Sequence, residues 1–222
     1  MKKTICVIMT IVMLLSVSYA LTGCKSDAEI IIGSWTADIN FADAFNTGIS
    51  SADGMEEMGK YFHISTFTIT TTFTFRDDGT YTVSHDQDSI TSALESIKGD
   101  LRNGIEAYFQ DEIKKAGLDM SVSELLAASG QTMDSVMDAM FSGEVMDQLI
   151  DEVATQYTGN YQVNDGKIYM TESTGEEISE EYYDTYKLGK DTLTLLECHC
   201  KQEEGYEDAS NSIYPVVLIR TE

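Results

Sequence analysis

Ile64-Ser65-Thr66-Phe67-Thr68-Ile69-Thr70-Thr71-Thr72-Phe73-Thr74-Phe75 is the stretch whose reading decides the fold. Phe67, Ile69, Phe73 and Phe75 alternate with Thr66, Thr68, Thr70, Thr72 and Thr74. A period of two gives a strand one apolar face and one hydroxyl-bearing face, the pattern of a half-buried sheet. Arg76-Asp77-Asp78-Gly79 follows with turn chemistry, and Thr80 to Ser84 returns as the partner strand, so the first unit is a hairpin. The threonines are not repeated at a fixed period along the chain, which makes them a solvated sheet face rather than an ice-binding ladder.

The same period appears on both sides. Upstream, Ile31 to Phe41 alternates with Trp35, Ile39 and Phe41 in one parity. Downstream, Tyr161 and Val163 lead into an Asn164-Asp165-Gly166 turn and then Ile168 and Met170. Counted from Ile31, eight strands fall near 31–40, 63–76, 80–86, 159–163, 167–171, 183–188, 192–200 and 213–221. Eight antiparallel strands joined by hairpins close an up-and-down barrel and leave no exposed edge. Pro215 falls near the start of the last strand, where a missing donor costs least.

Between the third and fourth strands the period lengthens to about 3.6. Ile90, Leu94, Ile97, Leu101, Ile105, Tyr108 and Ile113 form one helical stripe, with Asp88 as N-cap and Gly117 beyond its end. Ser121 with Glu124 makes a capping box before Leu125-Leu126, and Gly130 ends that helix. Met133, Met137 and Met140 mark a third stripe; Val145 or Met146, Leu149, Ile150 and Val153 mark a fourth. The fold class is therefore mainly β, an eight-stranded antiparallel up-and-down barrel, with an α-helical insertion at about 88–156. A shorter helical patch is expected earlier, at Met55, Met58, Tyr61 and Phe62.

Lys2 and Lys3 precede an apolar run from Ile5 to Ala20, which ends at Leu21-Thr22-Gly23-Cys24. That segment resembles the signal peptide and lipobox of bacterial lipoproteins. The resemblance implies that residues 1–23 are a removable signal and that Cys24 carries a covalent lipid. It also implies that the protein is lipid-anchored to the cell membrane on its extracytoplasmic face. Residues 24–30 then form a short tether to a barrel domain over 31–222. The chain carries a net charge of −24, made more negative by loss of Lys2 and Lys3. A surface so acidic argues against nucleic acid and against anionic head groups beyond the anchor itself.

Gly33-Ser34-Trp35 on the first strand resembles the Gly-x-Trp signature of lipocalins and related calycins. In that superfamily the tryptophan plugs the closed end of the barrel under an arginine of the last strand, which points here to Trp35 and Arg220 as the barrel-closing pair. With its helical insertion and its Tyr214-Pro215-Val216-Val217 start to the final strand, the chain is similar to lipocalin-like lipoproteins of the Firmicutes.

Motifs for chemistry are sparse. The three histidines His63, His85 and His199 sit in no nucleophile or metal signature, and no enzyme motif is present. Cys198-His199-Cys200 is the sole metal-like cluster. On a regular strand the two cysteines share a face about 6.6 Å apart, near the limit for bridging, so Cys198 and Cys200 are expected as small buried thiols, weak metal candidates at best. No cofactor is expected. Two functions are: a non-enzymatic binding protein holding a small apolar ligand in its lumen, with Phe67, Ile69, Phe73 and Phe75 as lumen candidates, or a surface protein whose Met-rich insertion binds a protein or peptide on a side-chain-filled barrel. The bulk of the aromatics leans toward a filled lumen.

Overall fold

A computed structural model of the chain describes residues 26–51, 59–142, 147, 150, 151, 153–199 and 212–221. Eight strands, β1 (Gly33–Asn40), β2 (Thr68–Phe75), β3 (Thr80–His85), β4 (Tyr157–Asn164), β5 (Lys167–Met170), β6 (Tyr183–Leu188), β7 (Thr192–His199) and β8 (Val216–Arg220), pair in chain order. Each is antiparallel to the next, and β8 returns to β1 through Trp35↔Arg220 and Thr36↔Ile219, closing the barrel. The expected fold, an eight-stranded antiparallel barrel with a helical insertion between β3 and β4, is the fold observed.

The alternation of the Thr-rich stretch becomes two environments. Ile69, Thr71 and Phe75 are buried, while outward hydroxyls bond across the β1–β2 ladder, Ser34 to Thr74 at 3.1 Å and Thr36 to Thr72 at 2.8 Å. Cross-strand bonds of this kind give the outer face modest support without apolar burial. Turns fall where the residues allow a positive φ: Gly79 at 80°, and Asp165 with Gly166 at 48° and 75°.

The two ends of the barrel differ. Tight connections at 76–79, 165–166 and 189–191 occupy one end; the long β1–β2, β3–β4, β5–β6 and β7–β8 connections all leave from the other. A short helix, α1 (Asp27–Ile31), closes the first end. Its capping box joins Ser26 and Glu29, and Tyr186 donates to Asp27 Oδ2 at 2.7 Å. Here the structure departs from the expected tether and strand: residues 27–31 are helical and β1 begins only at Gly33, whose φ of 128° breaks the helix from the strand.

At the other end lie α2 (Ala42–Ser51), α3 (Gln87–Lys115), α4 (Val122–Ala128) and α5 (Met133–Met140). The first turns of α3 bury Ile90, Ala93, Leu94 and Ile97 against Ala42, Ile64 and Ile69. Farther along, Ile105 packs on Phe62 and Met137, and Ile113 on Val122 and Leu126. The expected stripe is thus the buried face of α3, but its N-cap is Asp86, whose side chain accepts from the Ser89 amide at 2.8 Å, rather than Asp88. In the expected patch before β2, Tyr61 lies in a turn and Phe62 is buried; Met55 and Met58 lie outside the described residues, as do Cys24, Val145, Met146, Leu149 and Cys200. Among the described residues no helix is long and apolar enough to cross a membrane.

Candidate functional site

Inward side chains divide the lumen into two halves. Trp35 is fully buried beside Phe75, Tyr81, Tyr161, Ile168 and Leu218, and these large residues fill the half next to α1. Phe75, a lumen candidate from the alternation, belongs to this filled half, with its ring 4.9 Å from that of Tyr161. Trp35 donates from Nε1 to the Ile31 carbonyl at 2.7 Å. Arg220 lies over its ring at 4.0 Å and donates to the Ile32 carbonyl at 3.0 Å and to the Ile30 carbonyl. The guanidinium therefore joins β8, β1 and the end of α1 while stacking on Trp35, a contact worth about 1–2 kcal/mol when partly desolvated.

The other half is hollow. A cavity of about 670 Å³ opens at the end carrying the long connections. This is the size of a small-molecule site. Phe67, Ile69 and Phe73 line it, joined by Ile39 and Val83 from the neighbouring strands and by Leu195 from β7. Phe41 and Phe45 meet Phe67 at 5.9 and 6.0 Å between ring centres, and Val153 reaches in from the helical insertion, so both helical connections contribute to the rim. The expectation of a filled lumen holds for the half around Trp35 and fails at the mouth, where the aromatics stand around the space instead of occupying it.

Few polar groups interrupt this wall. Thr71 interrupts the apolar parity of β2; its hydroxyl lies 3.0 Å from His85 Nδ1. Burial holds the His85 imidazole below its ordinary range. Asp184, the second residue of β6, points inward and is 5% exposed. Burial pushes its carboxyl up to about 6, against the opposing effect of the Tyr214 hydroxyl, which donates to Oδ1 at 3.1 Å. The Tyr214 phenol is in turn held above its usual range by burial and by the Asp184 charge, so it remains a donor. None of Thr71, His85, Asp184 or Tyr214 stood out among the candidates. A single acid among 38, or one tyrosine at the start of an expected last strand that in the structure begins only at Val216, has no sequence signal until the fold brings it to the lumen.

Cys198 corrects another expectation. It is buried but disulfide-bonded, not a free thiol. The irregularity of β7 lies earlier, at Leu196, an extra residue between Thr185↔Glu197 and Tyr186↔Leu195, while Cys198 pairs in register with Asp184. His199 faces outward, stacked on Tyr183 at 4.4 Å and 3.6 Å from Glu197. Among the described residues no group of three or more His, Cys, Asp or Glu is placed to hold a metal ion. Set against known proteins, the chain matches no family, no curated protein and no solved structure.

Proposed function

We propose that the protein is a lipid-anchored extracytoplasmic binding protein of the lipocalin-like kind, without enzymatic activity, which carries a small apolar ligand in the mouth half of its barrel. The observation that carries this reading is the cavity of about 670 Å³ walled by Phe67, Ile69, Phe73 and Val83. The Leu21-Thr22-Gly23-Cys24 segment supports the anchor. Cys24 stands two residues before Ser26, the cap of α1 at the filled end of the barrel. An anchor there turns the filled end toward the bilayer and presents the mouth outward.

A second reading keeps one observation in its favour. α4 and α5 pack on the distal part of α3, away from the barrel, and leave Leu118 and Met140 52% and 47% exposed. That arm suits a surface protein that binds a peptide or protein partner on a barrel scaffold.

Titration with N-phenyl-1-naphthylamine, a neutral dye that brightens in apolar surroundings, separates the two. A hollow mouth predicts one saturable site displaced by decanol, lost in Val83→Trp while the far-ultraviolet circular dichroism is unchanged. Absence of saturable binding in the parent protein overturns the carrier reading and leaves the arm as the functional element.

A further inference from the structure

Resting on the carrier reading, we propose that the ligand of this lumen is a cationic amphiphile, an ammonium group on an apolar body, with Asp184 as its counter-ion. Among the described residues the cavity wall carries one carboxylate, Asp184, and neither lysine nor arginine lines it. Asp184 is also the sole charged residue that is buried among those described. Its Oδ1 accepts from Tyr214, and no ion pair joins it to a basic side chain among the described residues. Burial pushes His85, on the same wall, toward its neutral form, and His199 acts on the Asp184 charge from the outer face of β7, beside Glu197.

Among the described residues the lumen therefore presents a negative charge with a donor but no cation. Folding has already removed water from this carboxylate. An arriving ammonium loses only its own hydration and gains an opposite charge in a medium of low polarity. A fatty carboxylate meets repulsion at the same place, and a neutral alcohol gains a hydrogen bond alone. The rings of Phe41, Phe45, Phe67 and Phe73 supply the apolar wall for the rest of the molecule, and their π faces tolerate a cation.

Isothermal titration of the parent protein with decylammonium, decanol and decanoate at about pH 7.5 tests this. The proposal expects decylammonium to bind about tenfold or more tighter than decanol, and decanoate to bind weakest. Asp184→Asn should bring decylammonium to the level of decanol. Because the protein carries 38 acidic residues, attraction to the surface as a whole would survive that single change. Tyr214→Phe retains the carboxylate and should keep the ammonium preference, which holds the test open should Asp184→Asn fold poorly. Equal binding of decylammonium and decanol by the parent, or a preference that persists in folded Asp184→Asn, overturns the proposal and leaves the carrier reading intact. Failure of all three probes to bind overturns both.

Discussion

Asp184 sits where an ionised carboxylate is unfavourable, and its effect on stability has a definite sign. The carboxyl rises from 3.8 to about 6 on folding, so the folded chain holds this proton more tightly than the unfolded chain does. Its favourable contribution is complete below 3.8 and is lost as pH climbs through about 6. A shift of about two units corresponds to about 3 kcal/mol. Asn at this position stays neutral at every pH and still accepts from Tyr214. We predict that Asp184→Asn is more stable than the parent by up to about 3 kcal/mol near pH 8, with the margin closing toward pH 4. Denaturant midpoints for the two proteins across that range check it; a margin independent of pH would mean that the carboxyl is not desolvated. At this scale the sequence was legible where a residue has a rare identity. Trp35, the one tryptophan, and Arg220 stand where the Gly-x-Trp resemblance points, whereas Asp184, Thr71 and His85 depend on parity and height in the barrel, which no local pattern records.

Among the elements, α3 shows how packing decides the effect of one substitution. Gly99 and Gly104 both lie inside this helix, and glycine there costs roughly 0.5–1 kcal/mol relative to alanine. A methyl at Gly99 meets open space. One at Gly104 would stand 2.6 Å from the Phe62 ring and 2.6 Å from the Tyr61 carbonyl oxygen, which is backbone and cannot step aside alone. We predict that Gly99→Ala raises stability by about 0.5–1 kcal/mol and that Gly104→Ala lowers it by about 1–3 kcal/mol, the crowding outweighing the gain in propensity. Thermal melts followed by circular dichroism check the pair; an upward shift in both would mean that the 59–64 segment does not rest on α3. The buried stripe of α3 was readable because five of its residues, Ile90, Leu94, Ile97, Ile105 and Ile113, keep helical spacing. Its start was not, because Asp86 and Asp88 are equally good caps in sequence and the choice depends on which one meets the Ser89 amide. β2 begins at Thr68 although a strand is expected from about 63, since Asn40 Oδ1 takes the Phe67 amide at 3.1 Å and the Asn46 side chain takes the Ile64 amide at 2.8 Å. These side-chain bonds satisfy the backbone before the ladder does.

For the molecule as a whole, strand number and order were open to reading because every connection joins neighbours, so topology follows from counting. Whether the lumen is filled was not. That property depends on eight residues meeting at one height, and the Leu196 bulge changes parity along β7. The resulting asymmetry organises the molecule: tight turns, α1 and the Trp35–Arg220 stack at one end, and an apolar chamber under the long connections at the other. The chamber is the central claim, and a crystal structure grown with 10-bromodecanol tests it most directly through the anomalous signal of bromine. The account predicts a single bromine peak inside the lumen, bounded by Ile39, Phe73, Val83 and Leu195. A map with no bromine in the lumen, or with those side chains closed on one another across the space, would contradict it.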